Sequence, residues 1–101
     1  MRYTRLSTYE LTNSTFHDLT AKAENGILPK FEKVPGFVNF GLVDIGDRKM
    51  VSISIWETRE QAQNSVNMAA TWVKENLAGR VRLVTTYIGE LALFRGVPVS
   101  A

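Results

Sequence analysis

The side chains able to do chemistry are few: Arg5, Tyr9, His17, Asn39, Ser52, Ser54, Trp56 and Tyr87. His17 is the single histidine, and so the one group whose ordinary pKa lies near neutrality. A general base has to face the cleft that holds its substrate. His17 follows Phe16 at the rim of an apolar stripe, a placement that favours an exposed or core-edge histidine. Trp56 offers a face on which a flat aromatic substrate can stack, or a ring for the core, and both readings stay open. Trp72, at the spacing of Ser65, Met68 and Asn76, reads as packing. Asn39, Ser52 and Ser54 can orient a carbonyl or phenol through hydrogen bonds, or fill an interior beside water. Tyr3, Arg5, Ser7 and Tyr9 alternate along one segment; if that face lines a cleft, Arg5 can pair with an anion. The parity of this segment is open, because Leu6 and Thr8 make only a thin alternative core, and Tyr87 shares the ambiguity. One histidine and two strand serines do not make a Ser-His-Asp triad. Asp44 and Asp47 flank a turn, and turn chemistry explains them.

Composition narrows the classes further. There is no cysteine, so disulfides, thiolate metal sites and cysteine nucleophiles are excluded. With one histidine no metal-ligand cluster is expected, and no cofactor is called for. Twelve basic and ten acidic residues leave a net charge of +2, and the basic ones are scattered. A nucleic-acid partner would show a clustered basic stripe, so none is expected. No apolar run reaches membrane-spanning length, and no export signal precedes the first strand-like segment. The expectation is a cytoplasmic protein with no membrane partner. A chain of 101 residues, 45% of them hydrophobic, fits one domain over 1–101 with a real core. A core this small gains from oligomerisation.

The elements that must position these groups follow from local signals. Tyr3 to Glu10, rich in Tyr and Thr, reads as a strand. Thr15-x-x-Asp18 resembles a capping box and opens a helix with Phe16, Leu19, Ala23, Ile27, Phe31 and Val34 on one face. Gly26 and Pro29 predict a kink or break in it, and Pro35-Gly36 ends it. Phe37 to Ile45 and Lys49 to Glu57 form a hairpin around Gly46-Asp47-Arg48. Thr58 to Gln61 is a better capping box, opening a helix with Ala62, Val66, Ala69, Val73 and Leu77 as its stripe. Gly79 suits its C-terminal end. Arg82 to Phe94 reads as the last strand, and Gly96 to Ala101, with Pro98, as an extended end. The fold class is α+β, a ferredoxin-like βαββαβ: a four-stranded antiparallel sheet with two helices on one face.

Alternation assigns the two sheet faces. On the third strand Val51, Ile53 and Ile55 share one face, the natural helix-facing core. Met50, Ser52, Ser54 and Trp56 share the other. If the turn is centred on Asp47 and Arg48, Val43 falls opposite Ser52, Gly41 opposite Ser54, and Asn39 opposite Trp56. Val38, Phe40 and Leu42 then join the core face. The second face is too apolar for a solvent face and too mixed for a dry core. Such a patch marks an interaction surface, and two copies facing their sheets cover it. The expectation is a homodimer with a small-molecule cleft between its sheets; the alternative cover is the chain's own termini.

The sequence resembles the dimeric α/β-barrel group that contains the antibiotic biosynthesis monooxygenase-like proteins. The resemblance is carried by Pro35-Gly36-Phe37, by the run Val51 to Thr58, and by Arg59-Glu60-Gln61-Ala62 through Ala69-Ala70-Thr71-Trp72-Val73. It spans about residues 3 to 94, and its motifs specify the fold more than the chemistry. It implies a ferredoxin-like protomer and a sheet-to-sheet homodimer. Some relatives oxidise aromatic polyketides or quinols with dioxygen and neither metal nor flavin. Others degrade haem, with an iron-ligating histidine on the second helix; this chain has none there, which disfavours haem turnover.

The functional expectation is a cofactor-independent monooxygenase acting on an aromatic or quinone-like small molecule. The alternative is a non-catalytic or stress-associated barrel that sequesters a small apolar ligand. An RNA-binding module would need exposed aromatics in the middle of strands one and three, where strand three offers Ile53 and Ser54.

Overall fold

A computed structural model describes residues 1–96. The end expected to be extended therefore lies, from residue 97 on, outside the described residues. The elements run β1 (Tyr3–Leu11), α1 (Phe16–Asn25), α2 (Ile27–Glu32), β2 (Phe37–Gly46), β3 (Lys49–Trp56), α3 (Arg59–Asn76) and β4 (Val81–Glu90). The strands form one antiparallel sheet in the order β2-β3-β1-β4. This is the ferredoxin-like α+β fold that the element order predicts.

Both capping signals work. Thr15 Oγ1 accepts from the Asp18 amide at 3.1 Å. Thr58 and Gln61 close a full capping box, each side chain accepting from the other's backbone amide at 3.1 Å. The expected break falls at Gly26, between α1 and α2. Pro29 sits in the first turn of α2, where its missing N–H has no intrahelical acceptor to lose. Gly26 is required by packing. A Cβ there would lie 2.5 Å from the Trp72 ring of α3.

The hairpin turn is the expected one, with Asp47 and Arg48 both at positive φ. Gly46 faces Lys49, as the turn demands. The register then shifts, because Ile45 is an extra residue in β2. Beyond it Val43 faces Val51, Leu42 faces Ser52, Gly41 faces Ile53 and Phe40 faces Ser54. A second shift between Phe37 and Asn39 restores Phe37 to Trp56.

This overturns the expected face assignment. Met50, Ser52, Ser54 and Trp56 are buried beneath the helices, in one layer with Tyr9, Leu11, Leu19, Phe31 and Ala69. Phe37, Phe40 and Leu42 pack against that layer, so Phe40 and Leu42 lie in the core as expected. Val51, Ile53 and Ile55 line the opposite face with Thr4, Leu6 and Thr8. The stripe of α3 is also rotated from the expected one. Ala62, Ser65, Ala69 and Trp72 are its buried residues, while Val66 and Val73 are half-buried.

β4 stops at Glu90, not Phe94, because its neighbour β1 begins at Tyr3. One further bond, from the Leu91 amide to the Arg2 carbonyl at 2.8 Å, ends the ladder. Among the described residues no helix is long and apolar enough to cross a membrane.

Candidate functional site

The helix-facing layer contains a charge. Arg5, in the middle of β1, is 1% exposed. The antiparallel register puts Arg5 opposite Ser54 and Ser7 opposite Ser52. Alternation aims all four side chains at the helices. The guanidinium donates from Nε to Ser54 Oγ at 2.9 Å, from Nη1 to Ser7 Oγ at 2.8 Å, and from Nη2 to Ser52 Oγ at 2.9 Å. Three of its five N–H groups are thereby used. The other two are left for the adjacent Tyr9 hydroxyl and for whatever occupies the space beside it.

The hydroxyls are themselves held. Ser54 Oγ also accepts from Trp56 Nε1 at 2.9 Å. Ser7 Oγ lies 3.1 Å from Thr86 Oγ1 on β4, so the cluster ties three strands together. Phe31 of α2 stands over the guanidinium, with Cζ 5.8 Å from the ring centroid. The same ring meets Trp56 edge-on at 5.2 Å.

No carboxylate pairs with Arg5 among the described residues; the two ion pairs there, Arg2–Glu57 and Arg82–Glu10, are on the surface. Burial pushes the guanidinium down from its ordinary range, and the neighbouring Tyr9 hydroxyl opposes that shift. The group stays cationic, since arginine does not lose its proton in proteins.

Beside it lies a cavity between sheet and helices. Arg5, Tyr9, Met50 and Ser52 form its sheet wall, and Leu19, Ala23, Ile27, Phe31, Ala69 and Trp72 its helix wall. Its free space is about 30 Å³. That admits one or two waters, not an aromatic ring, so a larger ligand has to move a wall. Trp72 is a buried wall shared with the surface. Its indole borders the cavity and also two outer grooves, one along Lys22 and Asn25, the other along Lys30 and Glu75.

The candidates from the sequence therefore separate. Arg5, Tyr9, Ser52, Ser54 and Trp56 converge beneath the helices, within the single chain and not between two sheets. Asn39 is exposed and belongs to the outer face, beside Ile55. Tyr87 is 60% exposed on that same outer face, beside Leu6. His17 is exposed on α1. Ser7 and Trp72 are the residues that sequence reasoning undervalued. The signal for Ser7 was present: Arg5-x-Ser7-x-Tyr9 and Ser52-x-Ser54-x-Trp56 alternate alike. Among the described residues no cluster of His, Asp or Glu could hold a metal ion.

No protein-family model matches the chain, and no curated protein does. Solved structures do match. The chain has the ferredoxin-like fold of the antibiotic biosynthesis monooxygenase-like proteins. It is similar to SnoaB, a cofactor-independent oxygenase from Streptomyces nogalater, at 15% identity and TM-score 0.64, over 97% of this chain and 98% of that one. It is similar to the heme-degrading protein Rv3592 from Mycobacterium tuberculosis, at 19% identity and TM-score 0.65, over 95% and 100%. It is also similar to a dimeric ferredoxin-like protein from an uncultured marine organism, at 13% identity and TM-score 0.65, over 93% and 98%. At such identities the likeness establishes the fold. The differing chemistries of these neighbours leave the reaction to be argued from the site.

Proposed function

We propose that the protein binds an aromatic or quinone-like small molecule between its sheet and its helices and oxidises it with dioxygen, as a cofactor-independent monooxygenase. The observation that carries this reading is the mostly apolar cavity with one fixed polar cluster at Arg5. Apolar walls with a few placed polar groups are the usual make-up of a small-molecule site. In such a reaction the electron-rich substrate activates oxygen itself, and the protein's part is to bind, desolvate and help deprotonate it. A neighbour described as a cofactor-independent oxygenase supports the class. The neighbour described as heme-degrading carries less weight here, because the one histidine of this chain is exposed on α1 and away from the cavity.

In this reading residues 1–101 act as one domain in a homodimer, joined through the outer sheet face; a neighbour described as dimeric supports that assembly. The cysteine-free sequence fits the reducing cytoplasm, where we place the protein.

The test is oxidation of a dihydroquinone with and without protein. Turnover should require both protein and air. Equal aerobic rates with and without protein sink the reading. The second reading, a binding protein without turnover, is favoured by the absence of histidine from the cavity lining. Saturable binding with no product would establish it.

A further inference from the structure

We propose that the cavity between sheet and helices is a receptor for an organic oxyanion, with Arg5 as the counter-ion of its ligand. The ligand class is an apolar body carrying one ionised oxygen, such as a phenolate or enolate. This rests on the cavity being the ligand site but not on any turnover there.

Three observations converge. The first is the cost of the group. A buried cation surrounded only by neutral dipoles is the least favourable way to keep an arginine. Ser7, Ser52 and Ser54 fix its orientation without neutralising it. The second is what faces it. The helices bring Leu19, Ala23, Ile27, Phe31, Ala69 and Trp72 to the lining, none of them ionisable. Among the described residues Arg5 and Tyr9 are the lining's only ionisable groups, and they leave one positive charge there uncompensated. The third is donor count. With three N–H groups given to serines, two remain for Tyr9 and a ligand. A guanidinium held this way needs no reorganisation to receive an oxyanion, and the dry surroundings strengthen the attraction. The apolar walls then select the rest of the ligand.

The resting space of about 30 Å³ means that a ring enters only as the helix wall yields. Trp72, which lines both the cavity and the outer grooves, is the part of that wall nearest open space.

The experiment uses 4-nitrophenol as a probe and 4-nitroanisole, its neutral methyl ether, as the control. Both are titrated into the wild-type protein. The phenolate should bind at least about tenfold tighter than the ether, and bound nitrophenol should turn yellow at least about one pH unit lower than the free dye. In Arg5→Met, which keeps the volume but loses the charge, both differences should vanish while circular dichroism stays native. Arg5→Lys, which keeps the charge, should restore part of the colour shift. Ether and phenolate binding alike to wild type, an unshifted dye, or no binding of either overturns the proposal. The wild-type comparison stands even if a variant fails to fold. A protein that shifts the dye but oxidises no dihydroquinone refutes the oxygenase reading alone. One that oxidises a dihydroquinone yet binds phenolate no better than ether refutes this proposal alone.

Discussion

Ser54 Oγ accepts from two buried donors, Arg5 Nε and Trp56 Nε1, both at 2.9 Å. Ser54→Ala leaves both N–H groups without a partner in a layer that admits little water. Each unsatisfied donor costs about 1–3 kcal/mol, so with two of them the variant should lose about 2–6 kcal/mol of stability. Urea denaturation measures this as a lower midpoint at unchanged slope. A loss below about 0.5 kcal/mol would mean that water replaces the hydroxyl. At this scale the sequence was partly legible. Arg5, Ser52, Ser54 and Trp56 stand out by type, and their converging on one point follows from the β1–β3 register. Their side of the sheet was not legible, because the rule that apolar residues go inside points to Val51, Ile53 and Ile55. The protein breaks that rule at the one place where a buried charge demands hydroxyls around it.

Elements whose signals are local were readable: the Thr58–Gln61 box, the Thr15 cap, the type I′ turn and the break at Gly26. The register of β2 was not, because one extra residue at Ile45 reverses the parity of the strand beyond it. Nothing in Asp44-Ile45-Gly46 marks a bulge more than a regular strand end. The break at Gly26 has a tertiary cause as well as a local one, which makes it testable. A methyl group at Gly26 would sit 2.5 Å from the Trp72 ring, a buried neighbour. Gly26→Ala should therefore cost about 1–3 kcal/mol by overpacking. Trp72→Phe should relieve part of that cost, so the double variant should be more stable than the sum of the singles by about 1 kcal/mol. Additive losses would show that α1 and α2 shift freely on α3.

The whole molecule leaves one sheet face without helices. Leu6 stands at its centre, 38% exposed, between Ile53 of β3 and Tyr87 of β4. Val43 is 43% exposed nearby, and Thr8, Val51 and Ile53 are half-buried around them, while Ile55 and the Thr4 hydroxyl at the other end of the face are already buried within the chain. Exposed apolar side chains such as Leu6 and Val43 on one open sheet face favour a cover. In the proposed homodimer, two copies related by a two-fold axis would bring Leu6 of each into one isologous patch. The sequence suggested a sheet-to-sheet dimer from the opposite set of residues, Met50, Ser52, Ser54 and Trp56, which are buried in the protomer's own core. The reason for a dimer survives the exchange of faces, because β-branched and apolar residues occupy the exposed side. Its meaning for the site does not survive, because the cavity lies within one protomer and needs no partner residue among those described. Leu6→Glu should then give a folded monomer, since it places two carboxylates together at the centre of the patch. Light scattering should read about twice 11.3 kDa for the wild type and about that mass for the variant. The wild-type melting temperature should rise with protein concentration, and the variant's should not. Nitrophenol binding should be retained in the Leu6→Glu monomer, because every group that lines the cavity comes from the same chain. A monomeric wild type at micromolar concentration, or a variant that remains dimeric, would remove the outer face as the interface.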